Sequence, residues 1–185
     1  VFSLDEFYPI RSTEQQSRNF RIHEDFLNHI DILPENIHIP DGTVPEARIS
    51  EYCASYDHSV RKIDLMIIGV GEDGQIGFNE PGESFDKQVH CVNLTESTIE
   101  ANKRFFASAE DVPKQAYTMG IGTIMRSKKN LLVVSGEEKA QALKDSIYGP
   151  VTPEVPGSIL RFHPDVTIIA DEAAIGMVNQ KTTAV

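Results

Sequence analysis

Cysteine is scarce in this chain: two residues in 185, Cys53 and Cys91, far apart and without Cys-x-x-Cys spacing. That excludes a disulfide scaffold and a thiolate metal centre, and predicts buried thiols of a reducing compartment. The histidines, at 23, 29, 38, 58, 90 and 163, show neither His-Glu-x-x-His nor paired Cys/His spacing, so no metal site is expected. Positive charge is short as well. Lysine and arginine number 17 against 28 acids, a net charge of −11 spread along the chain, and such a surface repels a polyanion. Nucleic acid is therefore not an expected partner, and a phosphate ligand has to be held by a few placed cations and by backbone amides. No apolar run approaches the length of a membrane span, and no basic stretch leads into a long apolar one, so a cytoplasmic location is the default.

What is there centres on Lys62 to Pro81. Ile63 to Ile68 is a short apolar run without alternation, which predicts a strand covered on both faces, and Gly69-Val70-Gly71-Glu72-Asp73-Gly74 follows at once. In open α/β sheets ligands bind beyond the carboxyl ends of the strands, so Asp73, Gln75, Asn79 and Glu80 stand where chemistry is expected. The loop also fits the Gly-x-Gly-x-x-Gly pattern of dinucleotide sites, with Glu96 able to stand for the ribose-binding acid. Two features oppose that reading. Glu72 and Asp73 would face a pyrophosphate with like charge, and Gln75 to Pro81 carries glycine, asparagine and proline where a helix has to start.

The remaining segments predict strand, loop and helix in alternation. Val1 to Leu4 reads as the end of a strand with Asp5 and Glu6 at its carboxyl end, and that abrupt start suggests a chain lacking its natural N-terminal part. Ser17 predicts the cap of a helix to about Ile30, with Phe20, His23, Phe26, Leu27 and Ile30 on one face. Ile37 to Ile39 predicts a short strand, and Thr43-Val44-Pro45-Glu46 the capping box of a helix to about Val60 with Ala47, Tyr52, Tyr56 and Val60 as its core stripe. Val89 to Leu94, Tyr117 to Gly122, Leu131 to Ser135 and Val166 to Ala170 predict further strands. Ser97 is expected to cap a helix through Phe106, Glu137 opens another to about Ile147, and Ser158 to Phe162 makes a helical turn. Residues 1–185 then form a single α/β domain, a three-layer, mostly parallel, Rossmann-like sheet with helices on both faces.

Taken in order, Leu4-Asp5-Glu6-Phe7, Gly69-Val70-Gly71-Glu72-Asp73-Gly74 and Phe78-Asn79-Glu80-Pro81 resemble the glucosamine-6-phosphate deaminase/isomerase family. The resemblance continues through Arg104-Phe105-Phe106, Thr118 to Thr123, Ser135-Gly136-x-x-Lys139 and Leu160-x-x-His163-Pro164, and so spans nearly the whole chain. It implies a cofactor-free enzyme of amino-sugar metabolism that turns an amino-sugar phosphate into fructose 6-phosphate and ammonia: the ring opens, a proton moves from C2 to C1, and the amine leaves. By matching motif, Asp5 resembles the base that takes the C2 proton, and Asp73 and Glu80 the carboxylates that orient and tune the ring-opening group. Arg104 and Lys139 resemble the phosphate-binding cations, with Glu6 and Gly71 as further substrate contacts. The residue types suit the chemistry, since an aspartate over an acidic C–H is a general base and carboxylates raise the proton affinity of what they hold. The implied partner is a small-molecule sugar phosphate, and assembly into a homo-oligomer is left open. Without the resemblance, Asp5 and Glu6 read more readily as a loop cap, Arg104 as half of a helix ion pair, and Lys139 as a solvated cation.

Two departures bear on activity. The family has a histidine two residues after the loop aspartate as its ring-opening acid and base, and here that position is Gln75, which hydrogen-bonds but cannot exchange a proton near neutral pH. Either Asp73 or Glu80 carries that proton, or the open-chain form or another substrate is used. The family's Thr-Gly-Gly-Thr-type phosphate loop lies before the Leu-Asp-Glu strand, and this sequence begins after it. A sugar-phosphate-binding domain without turnover is therefore a second expectation. A 6-phosphogluconolactonase-like hydrolase, which shares the Gly-x-Asp-Gly loop, is a third. Allosterically activated members carry basic residues where this chain has His90 and Val92, so that activation is not expected.

Overall fold

The computed structural model describes residues 1–60 and 62–179. Along them run six strands, β1 (Asp5–Tyr8), β2 (Met66–Ile68), β3 (His90–Asn93), β4 (Gln115–Thr118), β5 (Asn130–Val134) and β6 (Val166–Ala170). Between these lie the α-helices α1 (Arg18–Asp25), α2 (Ile49–Ser59), α3 (Glu96–Asn102), α4 (Ile121–Ile124) and α5 (Ala140–Tyr148), and α6 (Glu172–Asn179) follows β6. The fold is α/β, and the described residues group into two compact units, each assembled from distant segments: 1–60 with 89–119, and 62–88 with 120–179.

The first unit holds an antiparallel sheet in the order β1-β4-β3, with Asp5 opposite Thr118, Phe7 opposite Ala116 and His90 opposite Thr118. Phe7, Ala116 and Tyr117 are fully buried, joined by Val92, Leu94, by Cys53 and Tyr56 from α2, and by Val60 just past its end. Aromatic rings knit this core: Tyr117 lies 5.3 Å from Tyr8 and 5.5 Å from Tyr52 between centroids. Cross-strand aromatic contacts of this kind stabilise antiparallel pairs, and they place the strand one segment later than Val1 to Leu4. Asp5 and Glu6 thus lie on β1 itself rather than past its carboxyl end. Residues 1–3 pair with the backbone of His38, and Ile37 to Ile39 contributes one isolated bridge, Phe2 with His38, instead of a strand.

Helix boundaries follow caps and burial more closely than apolar spacing. Ser17 caps α1 as expected, its hydroxyl accepting from the Phe20 amide, but the helix stops at Asp25 and a short 3-10 turn, Leu27–His29, follows. Of the expected face only Leu27 is buried, while Phe26 stays 49% exposed, so nothing holds the later turns helical. The Thr43 box does not open α2, which starts at Ile49 after a 3-10 turn at Glu46–Arg48, because the Thr43 amide and hydroxyl both donate to Asp41. Thr95 rather than Ser97 caps α3, accepting from the Thr98 amide. β4 ends at Thr118, short of Gly122, because Gly120 turns the chain into α4 where a Cβ would sit 2.2 Å from the carbonyl oxygens of Lys87 and Gln88.

The second unit holds a parallel sheet in the order β2-β5-β6, with Ile68 beside Leu132 and Leu132 beside Ile168. Its apolar strands need crossover connections, and the β5-to-β6 crossover carries α5, packed on α6 and on the 3-10 segment Pro156–Phe162. Met66, Ile68, Leu132 and Val134 are buried on one face. The other face is open, with Ile67 63% and Ile169 53% exposed, so the expectation of a β2 covered on both sides is not met among the described residues.

Candidate active site

In the second unit the expected loop leaves the carboxyl end of β2, as the open-sheet rule requires. No helix follows Gly74: the chain turns and closes a small bridge between Ile76 and Asn79, which removes the dinucleotide geometry. Gly71 is glycine for contact reasons, since a Cβ there would lie 2.5 Å from Gln75 Cγ and 2.7 Å from Asp73 Oδ1. Gly74 has φ +88°, a conformation that side chains disfavour. The loop therefore folds Asp73 and Gln75 together: the Gln75 amide donates to Asp73 Oδ1 at 3.1 Å and Gln75 Nε2 to Asp73 Oδ2 at 3.3 Å. Glu80, six residues after the glycine turn, is buried beside the fully buried Asn79.

Ser135 and Gly136 leave the carboxyl end of β5 and are pinned to Asp171, past β6: Ser135 Oγ donates at 2.6 Å and the Gly136 amide at 3.1 Å. Those donors hold the Asp171 carboxyl below its ordinary range, the Ser135 hydroxyl first. Gly136 takes φ +100° and turns the chain into the 3-10 segment Glu137–Lys139. Lys139 then reaches within 3.9 Å of Glu72 Oε1 on the first loop. Of the residues expected from sequence, Gly71, Asp73, Gln75 and Lys139 are thus gathered at one end of the parallel sheet, with an ammonium available for an anion.

The first unit holds Asp5, Glu6 and Arg104. Glu6 is 1% exposed and its carboxylate takes four donors: the Ser17 hydroxyl at 2.7 Å and the amides of Phe7, Arg18 and Asn19 at 2.8 to 2.9 Å. Burial pushes its carboxyl up and these donors pull against that. Two of the amides open α1, so Glu6 binds the helix to the strand and has no oxygen left over for a ligand. Asp5, next to it, accepts nothing of the kind. Its side chain is 17% exposed, Arg18 Nε lies 3.3 Å from Oδ1 as an ion pair without hydrogen-bond alignment, and Oδ2 has no such contact among the described residues. Burial raises its pKa above the ordinary 3.8, and the Arg18 charge offsets part of that. A desolvated carboxylate with one open oxygen is equipped to take a proton.

Arg104, in the 3-10 segment Lys103–Phe105 after α3, is exposed, stacks on the Phe105 ring at 4.8 Å and pairs with no acid among the described residues. Arg18 is the residue that the sequence reading missed. A cation in the first turn of a helix opposes the helix dipole, and that misfit was the available signal. The thiols of Cys53 and Cys91 are free, each raised to about 11 by burial. Among the described residues no helix is long and apolar enough to cross a membrane.

The family of glucosamine-6-phosphate isomerases and 6-phosphogluconolactonases matches residues 1–168. A glucosamine-6-phosphate deaminase of Clostridioides difficile is 50% identical over 183 residues, 97% of this chain and 73% of that protein. One from Thermoanaerobacter pseudethanolicus is 47% identical over 181 residues, 96% of this chain and 71% of its own. Among solved structures, a monomeric glucosamine-6-phosphate deaminase superposes with TM-score 0.90 at 39% identity, covering 94% of this chain and 73% of that one. A 6-phosphogluconolactonase of Trypanosoma brucei, at 17% identity and TM-score 0.74, shares the fold. By the family match and by identity to the deaminases, this chain belongs to the glucosamine-6-phosphate isomerase/6-phosphogluconolactonase family.

Proposed function

We propose that the chain is a glucosamine-6-phosphate deaminase in which Asp5 moves the proton. The observation that carries this reading is the Asp5 carboxylate, desolvated, held at Oδ1 and open at Oδ2. On the open-chain aldehyde, Asp5 takes the C2 proton while the C1 carbonyl oxygen gains one from solvent, leaving an enolamine, and Asp5 then returns a proton to C1, giving an iminium at C2 whose hydrolysis gives a proton back to solvent. Water then adds at C2 and ammonia leaves, so the products are the ketose phosphate and ammonia. Burial favours the protonated carboxyl that the return step needs, and the Arg18 charge favours the carboxylate that the first step needs.

Lys139 serves the phosphate in this reading, and Gly71 serves by leaving room for Asp73 and Gln75 to close on one another. Gln75 fixes Asp73 through its side-chain amide, so Asp73, with the buried Glu80, handles the ring-oxygen proton that an imidazole would otherwise carry. Glu6, with every oxygen taken, organises β1 and α1 rather than touching substrate. The cytoplasm suits the free thiols. The test is a coupled assay for ammonia released from glucosamine 6-phosphate. Release that is abolished by Asp5→Asn supports the reading. Binding of the sugar phosphate without release favours a sensor, and hydrolysis of a sugar lactone without ammonia favours the hydrolase.

A further inference from the structure

Arg18 occupies the first position of α1, where the helix's own partial positive charge disfavours a cation. Its surroundings offset that cost. The Arg18 amide donates to Glu6 Oε1 at 2.8 Å, and the side chain crosses the Phe7 ring, with the guanidinium carbon 5.0 Å from the ring centroid, to bring Nε 3.3 Å from Asp5 Oδ1. Phe7 is fully buried and braced edge-on by Phe106 at 5.4 Å, so the ring is a fixed shelf. Asp5 and Phe7 are two residues apart on a strand and share a face, which is why one side chain can stack on the ring and meet the carboxylate. A planar cation held by stacking and by charge at once loses little freedom on pairing, which a lysine could not match.

We propose that Arg18 is a positioning residue for Asp5, tying Oδ1 so that Oδ2 is the oxygen left to take the substrate proton. The proposal rests on Asp5 being the base, and it assigns to α1 a part in the reaction. The other groups that face Asp5 do not substitute for it. Glu6 is the next residue on β1 and carries the opposite charge. Tyr56, from α2, gives its hydroxyl to the Ser3 and His38 carbonyls, and burial holds its pKa far above neutral. Thr118 lies opposite on β4, and His90 stands one strand further on at the same register.

The test pairs a structural titration with kinetics. The Asp5 carboxyl carbon is followed by 13C NMR against pH in the wild type, Arg18→Met and Arg18→Lys, and kcat/KM is measured against pH in the same proteins. Arg18→Met is expected to move the Asp5 midpoint upward and to carry the acid limb of kcat/KM with it, with a loss of about tenfold below the limb. Arg18→Lys restores most of the midpoint but, lacking the planar stack, not the full rate. An Asp5 midpoint unchanged in Arg18→Met, with its amide spectrum intact, overturns the proposal. If Arg18→Met does not fold, Arg18→Gln answers the same question with the same two outcomes. Absence of ammonia release from the wild type would end the deaminase reading, while the titration would still decide whether Arg18 governs Asp5.

Discussion

The β1-to-α1 corner and the loop from Gly69 to Pro81 hold the same kind of side chain by opposite means. At the corner, neighbouring carboxylates are divided by their surroundings: Glu6 collects four donors and becomes a strut, while Asp5 has one cation and one open oxygen. In the loop, glycines do the work, since Gly71 makes room and Gly74 turns the chain so that Gln75 can clamp Asp73. The difference teaches that an acid's role is set by how many donors reach it rather than by its place in a motif. It also predicts that the corner fails when a side chain is cut and the loop fails when a side chain is added.

The largest effect should come from cutting the strut. Glu6→Ala leaves the Ser17 hydroxyl and three amides without their acceptor, and is expected to cost about 3 kcal/mol of stability, measured by urea denaturation. A loss under about 1 kcal/mol would mean that water replaces the carboxylate, and the contrast between the two acids would dissolve. Next, Gly71→Ala should lower ammonia release about a hundredfold while leaving the unfolding midpoint nearly in place, because the displaced groups are the side chains of Asp73 and Gln75. Unaltered kinetics would show that their closure over Gly71 does not matter.

These two regions also show what the chain discloses before it is folded. The loop was legible: its glycines are spaced for a turn, its acids are interspersed, and the apolar run before it names the strand that delivers it. The corner was not, because local apolar spacing ends the strand at Leu4, whereas pairing with Gln115–Thr118 draws Asp5 and Glu6 into β1. That pairing joins residues more than a hundred positions apart and leaves no local trace. Arg18 shows locally only as a cation misplaced in a helix's first turn, since its partners lie on a strand 11 to 13 residues back, beyond any helical spacing. The α/β alternation was legible from apolar runs, while the antiparallel order β1-β4-β3 depended on contacts distant in sequence.

A smaller effect sharpens the contrast through pH. Asp5 has a folded-state pKa above its ordinary value, so it binds its proton more readily when folded, and it subtracts from stability once the pH passes that raised value. Stability contributed this way is fully present at low pH and declines as the pH climbs from 3.8 through the raised pKa. Asp5→Asn should flatten that part of the curve and hold the melting temperature at neutral pH at or above the wild type. The slope that Glu6 adds by the same sign should persist. A variant as steep as the wild type would place the titration elsewhere. Smallest of all, Tyr117→Phe removes a buried hydroxyl that has no hydrogen-bond partner among the described residues, and should stabilise the first unit by about 1 kcal/mol.

The claim on which the account turns is that Asp5 carries the proton from C2 to C1. Glucosamine 6-phosphate turned over in deuterium oxide, with the ketose phosphate examined by NMR, tests it directly. The account predicts deuterium at C1 with the wild type, from turnovers in which the protonated Asp5 carboxyl exchanges with solvent before it returns a proton, and neither deuterium nor ammonia with Asp5→Asn. Label and ammonia appearing at the wild-type rate in Asp5→Asn would contradict it.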